Sequence, residues 1–152
     1  MESFYHFMIK GHSGLRWVAL ILLLWAIFNA VSKKSGGLYT KGDRKLNMFA
    51  MVSLHLQLVI GLILYFISPL RQLAFMNFGA AMKDGMLRHI AIEHITMMIL
   101  AIVFVTIGHA KSKRVTDANA KHKKIMVFYI IGLVLILAAI PWPFRGWGHG
   151  WF

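Results

Sequence analysis

Four long apolar stretches, each close to membrane-crossing length, constrain this chain more than any other feature. They cover about 14–31, 46–67, 87–108 and 119–140. An α-helix needs ~20 apolar residues to cross a hydrocarbon layer of ~30 Å at ~1.5 Å per residue. Membrane β-strands would be about half as long and would alternate apolar with polar residues, and these stretches do not alternate. The reading is all-α: an integral-membrane, antiparallel four-helix bundle that fills 1–152 as a single domain. Charged residues make up 14% of the chain, against about 25% in soluble domains.

Local punctuation agrees with four helices. Thr40 with Asp43 can cap the second, Asp84 the third, and Thr116 or Asp117 the fourth. Ser68-Pro69 and Pro141 close the second and fourth. The segment 69–85 is too long for a tight turn. With Met76, Phe78 and Met82 it is apolar enough to lie on a membrane surface as a short helix. VIGLILYFISP (59–69) echoes IIGLVLILAAIP (130–141), as two repeated hairpins would.

The net charge of +12 is not spread as a nucleic-acid footprint. Lys33, Lys34, Lys41, Arg44 and Lys45 fall in the first connection; Lys111, Lys113, Arg114, Lys121, Lys123 and Lys124 fall in the third. Basic short loops stay in the cytoplasm. Both termini are therefore expected on the outer, periplasmic side of a bacterial inner membrane, crossed several times. Trp142, Phe144, Trp147, Trp151 and Phe152 would form an interfacial aromatic belt. No cleavable leader is expected, because the first residues are barely basic and no A-x-A site follows. The absence of cysteine excludes disulfides, iron–sulfur clusters, cysteine-held zinc and covalent CxxCH haem attachment.

Polar residues inside apolar helices are candidates for function. Here these are His12, Arg16, His55, Glu93, His94 and His109. Counting back from the basic loops at ~1.5 Å per residue, His12 and His94 differ in depth by about 6 Å. His55 lies about 10 Å deeper than His94, near mid-bilayer, and His109 lies at the inner edge. Arg16 and Glu93 fall at one depth, so a mutual ion pair is one option. Contact of Arg16 with a haem propionate or a quinone headgroup is the other. His12 and Arg16, spaced i,i+4, share a face. His94 and His109, 15 residues apart, are about 60° off alignment on one helix, a spacing that would suit two haems. The neighbouring His89 and His94 come out about 140° apart on an α-helix, a poor chelate. His122, in KHKK, reads as a solvated helix start; His6, His89 and His149 read as interfacial. Met48, Met51, Met97 and Met98 near these histidines raise copper transport, although methionine is also ordinary apolar filler. No Gly-rich phosphate loop, HExxH or Ser/His/Asp set is present, so an electron carrier or a subunit is expected rather than a stand-alone enzyme.

The runs HSGLRW, SLHLQLVIGLILYF, RHIAIEHITMMILAIVFVTIGHAKSK and HKKIMVFYIIGLVLILAAIPWPF together resemble a family of short bacterial membrane proteins labelled cytochrome b. The resemblance covers nearly the whole chain. It implies four helices, haem b, iron ligation by His12, His55, His94 and His109, with His122 as a further candidate, and electron transport. Two-haem cytochromes place two histidines on each of two helices. Here only the third helix carries a pair, so one haem is at least as well supported as two. His12 with His94 would be an outer pair, with Arg16 on a propionate; His55 with His94 competes. A second, inner haem would use His109 with His55 or His122. Quinone or a partner redox protein would exchange the electrons, and homo-oligomerisation stays open. An accessory subunit of a larger complex, or a small proton- or metal-conducting protein, are the alternatives.

Overall fold

The computed structural model describes residues 2–147. His149, Trp151 and Phe152 lie outside the described residues. The elements in order are α1 (Glu2–Lys33), α2 (Lys41–Ile67), the short α3 (Pro69–Met76), α4 (Phe78–Ala81) and α5 (Gly85–Arg88), a π-helical segment (His89–Glu93), α6 (His94–Arg114), α7 (Ala118–Ala139) and a 3₁₀ turn (Pro143–Arg145). Among the described residues there is no strand. Four helical bodies are long and apolar enough to cross a membrane: Ser3–Lys33, Lys41–Ile67, Gly85–Arg114 and Ala118–Ala139.

The helices overrun their apolar stretches where polar residues still favour helix. α1 begins at Glu2, well before position 14, because ESFYHFMIKGHS has no proline to stop it. α6 continues through AKSKR to Arg114, where basic residues suit the negative end of a helix. The expected caps form. Thr40 Oγ1 accepts from the Asp43 amide (3.2 Å), and Asp43 Oδ2 accepts from the Thr40 amide (2.7 Å). Asp84 accepts from the Leu87 amide and Asp117 from the Ala120 amide. Ser68 ends α2 and accepts from the Arg71 amide at the start of α3. The connection 69–85 is two short helices, α3 and α4, rather than one.

The four long helices stand side by side, α1 against α2 and α7, and α6 against α7 and α2, leaving α1 and α6 at opposite corners. One end of the assembly carries the termini (the terminal end); the other carries the two basic connections (the basic end). Small residues let the helices approach: Ala19, Ala26 and Ala30 of α1, Ala50 of α2 and Ala101 of α6 are buried. Leu23, Val105, Ile125 and Tyr129 fill the space between them. The outward faces stay apolar, with Ile21, Trp25, Phe28, Phe49, Val59 and Val134 exposed. Polar links also join the helices. Asn29 and Lys33 of α1 both donate to Asp43 Oδ1 of α2, each at 2.7 Å. Tyr129 of α7 donates to the Asn47 carbonyl of α2 (2.8 Å).

Gly108 and Gly132 set the closest approach of α6 to α7. A methyl added at Gly108 would collide with Cβ of Phe128, which cannot move without its backbone. Gly108→Ala should therefore lower stability in detergent by about 1–3 kcal/mol. Gly14→Ala meets nothing within 4 Å and should be neutral, or stabilising by up to about 1 kcal/mol through helix propensity. Thermal unfolding of the two variants checks the pair; equal effects would contradict this packing.

Candidate functional site

At the terminal end a cavity of about 260 Å³ opens between α1, α2, α3, α6 and α7. Most of its wall is apolar, including Leu20, Leu58, Ile102 and Ile136. Its polar members include His12, Arg16, Gln57, Tyr65, Arg71 and His94.

His12 and His94 reach this cavity from the two opposite corners of the assembly. Their ring centroids lie 6.4 Å apart with the planes at 71°. Each is held by a neighbouring helix. His94 Nδ1 donates to the Ala139 carbonyl at 2.8 Å. A carbonyl only accepts, so this bond fixes the hydrogen on Nδ1 and makes Nε2 the lone-pair nitrogen. Gln57 Nε2 donates to the His12 carbonyl at 2.8 Å, tying α2 to α1 at that level. The His12 ring lies against Gly61: a Cβ there would stand 3.0 Å from His12 Cε1. His12 Nδ1 is buried with no hydrogen-bond partner.

The π-helical segment changes what His89 does. The His94 amide donates to the His89 carbonyl, an i→i+5 bond that widens the turn. Residues five apart, which an α-helix separates, are brought to one side. The His89 and His94 rings are 5.8 Å apart, not splayed by about 140° as α-helical geometry predicts. His89 is also packed inside the protein: it is 1% exposed and lies against Trp147 at 4.8 Å. Tyr65 of α2 donates to the Ala91 carbonyl inside the segment (2.9 Å), a partner from outside the helix for a group in the distorted turn.

Glu93 pairs with Arg88 (2.6 Å) and His89 (3.3 Å). The Arg16–Glu93 ion pair that equal depth suggested is thus replaced by a local one, since the wide turn swings Glu93 back toward its own helix start. Arg16 lines the cavity, with its guanidinium 5.5 Å from the Trp17 ring centroid. A second arginine lines it as well. Arg71 of α3 lies over Tyr65 (4.9 Å) and Phe75 (5.2 Å), and its Nε is buried without a hydrogen-bond partner. Sequence reasoning missed Arg71 and His89. Only SPLR, a Ser cap followed by Pro at a helix start, hinted that Arg71 is turned in a fixed direction.

The other histidines lie elsewhere. His55 does not line the cavity. Its Nδ1 donates to the Met51 carbonyl (2.8 Å), and its Nε2 lies 3.3 Å from Thr106 Oγ1 of α6. With Nδ1 donating, Nε2 accepts, and the one Thr106 hydroxyl hydrogen is shared between it and the Ile102 carbonyl at 2.7 Å. His55 is therefore engaged in an interhelical polar link rather than brought to His94. His109 is 3% exposed, and its Nδ1 is buried with no hydrogen-bond partner. His122 is fully buried, not solvated, because the 34–40 connection folds over it: the Tyr39 ring is 5.1 Å away and the Leu38 carbonyl 3.4 Å from Nε2. Of the residues expected at the site, the structure brings together His12, Arg16 and His94, and leaves His55 and His109 apart from them. Among the described residues no group of three or more His, Cys, Asp or Glu is arranged to hold a metal ion, so the cavity offers a pair of imidazoles and not a cage.

Comparison of the chain with protein-family models, with curated proteins and with solved structures finds no match.

The His55–Thr106 link predicts a coupling of about 0.5–1.5 kcal/mol between His55→Ala and Thr106→Val in a double-mutant unfolding cycle. Strictly additive effects would show that the two side chains do not support one another.

Proposed function

We propose that this chain is a membrane electron-transfer protein that holds one b-type haem in the terminal-end cavity, where His12 and His94 would hold its iron. The observation that carries this reading is the meeting of two imidazoles from opposite corners of the assembly at 6.4 Å. Metal–imidazole nitrogen distances are about 2.0–2.1 Å, so two rings this close could share one iron. The remaining donor chemistry fits as well. Gly61 lets the His12 ring pack directly on α2, the walls are apolar, and Arg16 and Arg71 line the same space, two cations for the two carboxylates that a haem carries.

When bound, the haem supplies one-electron chemistry. The chain's own residues ligate, orient and exclude water. His94 is oriented by Ala139, and His12 is placed by the Gln57 bond to its carbonyl. The apolar wall disfavours net charge on the site and so bears on its potential. The separation of His55, His109 and His122 favours one haem over two. In this reading the four apolar helices cross a bacterial inner membrane. The basic end faces the cytoplasm and both termini face outward. Electrons pass to or from a quinone or a partner redox protein at the outer side.

The test is the colour of the purified protein from haem-sufficient cells. A Soret band that shifts on reduction is expected. It should be lost or strongly diminished in His12→Ala and His94→Ala, and kept in His55→Ala and His109→Ala. A colourless, folded wild-type protein would overturn the haem reading. In that case, fixed co-purifying subunits would point to an accessory role and proton flux in liposomes to a relay.

A further inference from the structure

We infer that the basic end carries a second binding site, one for a phosphate group, and that its occupant is the headgroup of an anionic phospholipid. A cavity of about 200 Å³ there is lined by Tyr39, Arg44, Ser112, Lys113 and Lys121. These come from four separate places: the 34–40 connection, the first turn of α2, the last turn of α6 and the first turn of α7. The lining holds three cations, two hydroxyl-bearing residues and no acid.

What sets this apart from a generally basic rim is where the acids of this end have gone. Asp43 is spent within its own cluster, accepting from Lys33, Asn29 and Thr40. Asp117 caps α7. No ion pair among the described residues involves Arg44, Lys113 or Lys121. Lys121 is instead held over the Tyr39 ring at 5.2 Å. The chain thus converges three cations on one concavity and leaves the compensating charge to come from outside. A phosphate oxygen set satisfies arginine and lysine donors together.

The lipid source rests on the proposal that the helices cross a membrane; the phosphate site does not. If they cross, the cavity lies at the ends of the helices, in the headgroup layer, where basic pockets between helices take anionic lipids. Exposed apolar residues further along the same two helices, Phe49 on α2 and Val127 on α7, would receive the acyl chains.

The experiment uses the full chain in neutral detergent with a tail-labelled fluorescent phosphatidylglycerol as probe. The Arg44→Gln/Lys113→Gln/Lys121→Gln variant should bind it roughly 10–100-fold more weakly, the scale expected for three surface cations near an anionic headgroup. Arg44→Lys/Lys113→Arg/Lys121→Arg, which keeps the charge, should retain binding and guards against simple misfolding. Lys45→Gln/Lys123→Gln/Lys124→Gln removes equal charge outside the cavity and should change affinity by no more than about threefold. Displacement by unlabelled phosphatidylglycerol but not by millimolar inorganic phosphate identifies the lipid; displacement by phosphate alone identifies the free anion in the same site. Equal weakening in the cavity and control variants, no weakening in either, or equal competition by phosphatidylcholine would each overturn the proposal. None of these readouts depends on haem, so the two proposals fail separately.

Discussion

Polar side chains on helices with apolar outer faces must find their partners on other helices, and this requirement organises the whole assembly. A helix satisfies its own backbone, but side-chain donors and acceptors inside an apolar surround have nothing else to bond. Asn29 and Lys33 meet Asp43 between α1 and α2. Gln57 meets the His12 carbonyl between the same two helices at their far ends. Tyr129 joins α7 to α2, His55 and Thr106 join α2 to α6, and His94 joins α6 to α7. Packing of alanines and glycines brings the helices close, but on its own such packing is tolerant of sliding. Directional bonds at both ends fix the register, and the register puts His12 and His94 at one level.

The π-helical segment is the second consequence of the same rule. Widening one turn at His89–Glu93 frees backbone groups, and Tyr65 from α2 supplies a donor to the Ala91 carbonyl. The widened turn draws His89 inward beside His94 and lets Glu93 close on Arg88. The terminal end of the third membrane-length helix is thereby specialised, whereas its basic end is a regular α-helix.

Much of the fold is legible in the sequence, because helix length and caps are local properties. Thr40 with Asp43, Asp84 and Asp117 cap where their chemistry says they should. Counting along the helices also brings His12 and His94 to the same end of the assembly, since rise per residue is nearly constant. What fails is angular and long-range. The interior of His89 was hidden because a π-turn breaks the 100° increment on which helical faces are drawn, and HIAIE carries no proline or glycine to announce it. His122 reads as solvated from KHKK alone, yet the 34–40 connection, distant in sequence, folds over it. Arg71 sits in a connection whose path no periodicity determines. His55 looked like a ligand because mid-membrane histidines need partners; that its partner is Thr106, on another helix, is a fact of packing.

The proposed haem site depends on one pair of imidazoles, His12 and His94, meeting across the cavity from opposite corners. Met98 lines the same cavity and is the nearest competing donor type, so ligand identity is the sharpest question. Electron paramagnetic resonance with near-infrared magnetic circular dichroism of the oxidised protein separates the choices. Low-spin ferric haem with a bis-imidazole charge-transfer band, converting to other coordination in both His12→Ala and His94→Ala, is the predicted result. A histidine–methionine signature, a high-spin site, or a bis-imidazole signal unchanged by both substitutions would contradict it.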